Sequence, residues 1–160
     1  MKKLRFIALL MLAITLFSAC NKDDNDDNNE VSGMSVDYDG KTWKSTVATA
    51  SYMETGDLTM ITGANSNTGQ QIVITFTGSL PATLPISSSE DSPSISLSMG
   101  LSGSFSTITT DNPTGEVVIT KFDKEKKLIS GTFRCKVAEF DGTEMEFTNG
   151  KFTNIAYISQ

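Results

Sequence analysis

Hydrophobic positions follow two regimes along this chain. From Phe6 to Phe17 they run almost unbroken, FIALLMLAITLF, whereas from residue 33 onward they alternate with Ser, Thr, Asp, Lys and Gly. An alternation of period two places every second side chain on one face of a strand. Short runs rich in Val, Ile, Thr and Phe are cut by glycines at 33, 40, 56, 63, 69, 78, 100, 103, 115, 131, 142 and 150, the punctuation of an all-β domain. The pattern predicts strands over 33–38, 41–53, 57–64, 70–78, 94–101, 103–109, 115–122, 128–139, 143–149 and 151–158. No segment keeps a 3.6-residue apolar period long enough for a helix. The stretch 79–93, SLPATLPISSSEDSP, holds three prolines and a serine run, and predicts an irregular connection with an edge strand at 82–87. The expected fold is an antiparallel β-sandwich. A closed antiparallel β-barrel is the alternative, because strand patterns alone do not report closure.

Two hairpins are specific enough to predict in register. In VDYDGKTW, Asp39-Gly40 suits a two-residue type I′ turn. That turn opposes Tyr38 to Lys41 and Val36 to Trp43, with the apolar pair on one face. In the second hairpin, Phe133, Cys135 and Val137 alternate with Arg134 and Lys136, and Met145 and Phe147 alternate with Glu144 and Glu146. A two-residue turn at Asp141-Gly142 would oppose inward to outward residues. A three-residue loop Phe140-Asp141-Gly142, with Gly142 left-handed, instead opposes Val137 to Met145, Cys135 to Phe147 and Lys136 to Glu146.

The N-terminal regime is a separate matter. Lys2, Lys3 and Arg5 precede the twelve-residue run, which is too short for a bilayer needing about 20 helical residues. A charged start, a short apolar run and small residues at Ser18-Ala19 read as an export signal over 1–19. The stretch Leu16-Phe17-Ser18-Ala19-Cys20 resembles the bacterial lipobox, with Phe17 where Leu is commonest. The resemblance implies cleavage before Cys20 and acylation of its thiol. Each buried methylene contributes ~0.8 kcal/mol, so several acyl chains anchor stably where one is marginal. Residues 21–30, NKDDNDDNNE, have no apolar side chain and five acids, and read as a disordered tether spanning at most ~35 Å. Lys22-Asp23-Asp24 resembles the lipoprotein export signal of Bacteroidota, which implies the outer face of the outer membrane. The chain is therefore expected to meet a membrane through Cys20.

Composition narrows the chemistry. The chain of 160 residues has no histidine, 13 Lys+Arg and 19 Asp+Glu, a net charge of −6. Lack of histidine removes Ser-His and Cys-His nucleophile pairs and histidine metal ligands. A pI near 4.6 argues against nucleic acid as a partner. The single domain expected at 31–160 carries 9 Lys+Arg against 14 Asp+Glu, net −5, and one cysteine, Cys135, so it forms no internal disulfide. Glu144 and Glu146, two apart on one strand, lie ~7 Å apart given the strand rise, near the separation of an inverting glycosidase pair. The competing reading is an exposed polar stripe opposite Arg134 and Lys136. Asp37-Tyr38-Asp39-Gly40 echoes a calcium loop but lacks the later ligands. Alternation places Cys135 in the core, and the pairing with Val36 does the same for Trp43. Lys124, Lys126 and Lys127 read as a solubilising hairpin tip. No phosphate-cradling glycine loop opens a helix, so no catalytic, metal or cofactor-binding residue is assigned and no cofactor is expected.

DGKTWKS near residue 40, ISGTFRCKV from 129 and FTNGKF from 147 resemble a family of uncharacterised Bacteroidota surface lipoprotein domains, with Asp39 where Asn is usual. The motifs are turn glycines and core aromatics, so the resemblance implies a fold and no catalytic roles. The expectation is a non-catalytic interaction module on a lipid anchor, its ligand a glycan or a surface protein. A carbohydrate hydrolase using Glu144 and Glu146 and a structural surface-coat component are the alternatives.

Overall fold

The computed structural model describes residues 31–160. Cys20, Lys22, Asp23 and Asp24, the signal at 1–19 and the tether lie outside the described residues. The described chain is nearly all β. Its strands are β1 (Gly33–Tyr38), β2 (Lys41–Lys44), β3 (Val47–Met53), β4 (Leu58–Asn65), β5 (Gln70–Thr77), β6 (Ala82–Pro85), β7 (Ser94–Ser98), β8 (Ser104–Ser106), β9 (Gly115–Asp123), β10 (Leu128–Ala138) and β11 (Glu144–Ser159), with a 3₁₀ turn at Gly100–Ser102.

They form one mixed sheet in the order β2-β1-β11-β3-β4-β5-β7-β8-β10-β9-β6, with β10 also paired to β11. The pairings therefore run in a circuit, β11-β3-β4-β5-β7-β8-β10 and back to β11, with β1, β2, β9 and β6 flanking it. One link is a single pairing of Ala138 with Ser106. Another is the parallel pairing of Tyr157, Ile158 and Ser159 with Ala50, Ser51 and Tyr52. Every other ladder is antiparallel.

Both predicted registers hold. Val36 opposes Trp43 and Tyr38 opposes Lys41, around a turn with φ 49° at Asp39 and 69° at Gly40, as a type I′ turn requires. Cys135 opposes Phe147, Lys136 opposes Glu146 and Val137 opposes Met145. The amide of Glu139 donates to the Thr143 carbonyl across the loop, 2.9 Å, and Gly142 has φ 89°.

Apart from shifts of one or two residues at strand ends, such as the edge strand expected at 82–87 that spans Ala82–Pro85, the strand limits differ from expectation in three places, each for a local reason. The strand expected over 41–53 breaks at Ser45-Thr46. There the Ser45 amide still donates to Met34 of β1 while the Thr46 amide donates to Ala64 of β4, so the chain changes partner. The strands expected over 94–101 and 103–109 shorten to Ser94–Ser98 and Ser104–Ser106, the first giving way to the 3₁₀ turn and the second to a turn in which the Thr110 hydroxyl donates to the Thr107 carbonyl. Those expected at 143–149 and 151–158 are one strand. Asn149 and Asn154 adopt φ 52° and 46°, each absorbing one extra residue against β10, where Phe133 opposes Gly150 but Cys135 opposes Phe147, and Gly131 opposes Phe152 but Ile129 opposes Ile155. Such bulges reset the in–out alternation without ending the ladder.

One apolar cluster draws on every strand, Leu84 of β6 packing against it from the edge. Ile61, Ile72, Ile74, Phe147, Phe152 and Ile155 are wholly buried, each worth ~1.5–3 kcal/mol on burial. With all strands paired and one shared core, residues 31–160 make a unit competent to fold alone.

Candidate functional site

The charged candidates occupy the outer side of β2, β1, β11, β10 and β9. Glu144 and Glu146 are both exposed. Although Lys136 stands opposite Glu146 in the backbone register, its ammonium pairs diagonally with Glu144, 3.1 Å. Arg134 pairs with Glu116 at 2.9 Å on the neighbouring strand. These contacts make the two glutamates part of a solvated polar stripe, and neither lines the two clefts described below. Asp37 accepts from the Thr42 hydroxyl at 2.6 Å and the Asn149 amide at 2.9 Å. Those two bonds, Thr42 first, hold its carboxyl below the usual range. Asp37 is thus engaged in bracing three strands, and Asp39 in the turn.

Cys135 is buried, and desolvation pushes its thiol up to about 12, which removes the thiolate that reactivity needs. Trp43 is 5 % exposed, and its indole N–H has no hydrogen-bond partner. Lys124, Lys126 and Lys127 sit on the β9–β10 turn, which Asp123 closes by accepting from the amides of Glu125 and Lys126. Lys124 and Lys127 also line a cleft with Tyr52, Glu54, Tyr157 and Ser159.

The other half of the sheet presents a contrasting outer side. Alternation turns Ile61, Ile72, Ile74, Ile95 and Leu97 inward, so the intervening residues of β3, β4, β5, β7 and β8 face out. Along the register these form rows. Ile158, Ser51, Met60, Thr75 and Ser94 make one row. Thr49, Thr62, Val73, Ser96 and Ser106 make the next. Val47, Ala64, Gln71, Ser98 and Ser104 follow, and Met53, Leu58 and Thr77 complete the opposite margin. Not one of these positions is charged, in a domain with 9 basic and 14 acidic residues. Val47, Met53, Met60 and Ile158 are exposed large apolar side chains on this face.

A cleft of about 480 Å³ opens at its margin between the segments 87–94 and 107–113, reached by Leu58, Thr75 and Thr77 of the face. Glu90, Asp91 and Asp111 line it together with Ser87, Ser92 and Thr110. Its polar groups are hydroxyls and carboxylates, with Phe76, Ile108 and two prolines supplying apolar wall. Such a lining accepts hydrogen bonds from hydroxyl-bearing ligands and repels anions.

Fold and surface together define a nearly all-β domain in which β3, β4, β5, β7 and β8 present an outer face without charged side chains. The chain belongs to DUF6252, a family of domains of unknown function, which matches residues 30–156. No curated protein and no solved structure matches the chain.

The uncharged face was not singled out by motif reasoning, yet its signal lies in the sequence. Residues 45–53, 58–89 and 92–110 contain no Asp, Glu, Lys or Arg. Only the pairing order shows that these stretches lie side by side.

Proposed function

We propose that this chain is an exported lipoprotein, acylated at Cys20 and held at the outer-membrane surface, whose β domain is a non-catalytic interaction module. The observation that carries the reading is the sorting of charge. A broad uncharged face with exposed Met and Ile is what interface centres look like, since they are depleted of charge and enriched in Met. The sequence of residues 1–24 supports the address, through the apolar run, the lipobox-like cysteine and Lys22-Asp23-Asp24. The hydroxyl- and carboxylate-lined cleft beside the face supports a neutral glycan or a surface protein as the class of ligand.

Two measurements test this. Labelled fatty acid should enter the wild-type chain in cells and not the Cys20→Ala variant; equal labelling of both removes the anchor. A photo-cross-linker at Thr62 should capture a surface component on intact cells, or a glycan array should give a ligand lost on Met60→Lys. No capture and no glycan overturns the module.

A further inference from the structure

We infer that the uncharged face of β3, β4, β5, β7 and β8 is a self-association surface, and that its occupant is a second copy of this chain. The inference rests on the interaction-module reading and names the partner.

Three observations point to self rather than to another molecule. A two-fold interface sets a surface against itself, so any charge near the axis meets its own copy. The outer side of β1, β10 and β11 fails that condition, because Glu144, Lys136, Arg134 and Asp37 are fixed there in local pairs. The opposite side meets it at every row of the register. The molecule is also acidic, net −5 over 31–160, so two copies repel where carboxylates meet, and those near this face, among them Glu90, Asp91 and Asp111, stand at its margin and not within its rows.

Size agrees. Five strands of 7, 8, 8, 5 and 3 residues, at ~3.4 Å per residue and ~4.8 Å spacing, give ~500 Å² on each copy. The resulting ~1,000 Å² in total is the size of a weak, reversible interface. Met60 and Ile158 lie in one row with Ser51 between them, an apolar strip flanked by hydroxyls and methyls that pack flat. Aligned sheet-on-sheet packing, at roughly −30°, about an axis along the strands would also leave the two Val31 ends on the same side. Two tethers could then reach one membrane.

The test combines sedimentation of residues 31–160 with cysteine cross-linking of the full chain in cells. Sedimentation should give twice the monomer mass at high concentration and dissociation on dilution. Met60→Lys should shift the midpoint at least tenfold upward, while Thr132→Lys, on the charged side, should leave it in place. Under oxidation, cysteine at Thr49, Thr62 or Thr75 should give a disulfide-linked dimer at one position or more, and Thr132→Cys none; buried Cys135 stays silent. A monomer at all concentrations with no face-specific cross-link overturns the inference, as does equal cross-linking from Thr132→Cys. In that event maleimide labelling separates the two readings. Face cysteines shielded on cells would leave the module standing with a different partner. Free labelling would overturn both.

Discussion

The ring of Phe152 lies across Gly131 of the neighbouring strand. The two are register partners, and a methyl group at Gly131 would sit 2.5 Å from the Phe152 ring. Two residues further along the same unbroken register, the arrangement is repeated in reverse, with Phe133 covering Gly150 and the two rings stacked at 26°, centroids 6.5 Å apart. The Gly-Thr-Phe and Gly-Lys-Phe sequences are thus two halves of one interlock, each glycine making room for the aromatic ring of the other.

Gly131→Ala should therefore destabilise the domain by overpacking against both the Phe152 ring and the Val118 carbonyl oxygen of the other neighbouring strand, on the order of 1–3 kcal/mol, read as a lower urea midpoint with unchanged slope. Gly40→Ala meets no neighbouring atom and incurs backbone strain alone at φ +69°, of roughly 1 kcal/mol. Equal losses at the two sites would contradict the interlock.

Trp43 is the chain's single tryptophan, so its fluorescence reports this core directly. Its emission should be blue-shifted in the native state and move red on unfolding in one transition. Trp43→Ala should cost ~3–5 kcal/mol. Trp43→Phe should cost much less, because it also removes the unpartnered N–H, a group whose burial carries ~1–3 kcal/mol.

Acid should destabilise the fold through Asp37. Its carboxyl is held below 3.8 by bonds from Thr42 and Asn149, so the unfolded chain binds the proton first. The stabilisation is complete above the unfolded value and disappears as pH falls through the lower folded one. Asp123 and Asp141, lowered mainly by backbone amides, act in the same direction. Urea midpoints measured between pH ~5 and ~2 should fall less steeply in Asp37→Asn than in wild type. A parallel decline would show that Asp37 takes no part.

Native Cys135 should resist thiol reagents at neutral pH and react fully in denaturant, because desolvation holds its thiol near 12. Stoichiometric labelling of the folded protein within minutes would contradict its burial.

Removing the Lys136–Glu144 pair should matter little. Both partners are about half exposed, at 43 % and 52 %, and such pairs contribute ~0–1 kcal/mol. Lys136→Ala and Glu144→Ala should each keep the wild-type melting temperature within a few degrees. A larger loss would mean that the stripe has a role beyond solvation.

The sequence by itself determined what depends on near neighbours. Val36 against Trp43 and Cys135 against Phe147 followed from alternation joined to a turn of known geometry, because a one-residue slip would turn every side chain to the wrong face. Burial of Cys135 and Trp43 followed from the same alternation. The tertiary structure decided what depends on distant residues. Asn149 looks like a strand end in sequence and Asn154 like an ordinary strand residue, and only β10 alongside makes both of them bulges within β11. The parallel contact of Tyr157 with Ala50 joins residues more than a hundred positions apart, which no local pattern encodes. The uncharged face has the same origin. Its hydroxyls and methyls are ordinary strand residues one strand at a time, and they become a surface only when pairing sets β3, β4, β5, β7 and β8 side by side.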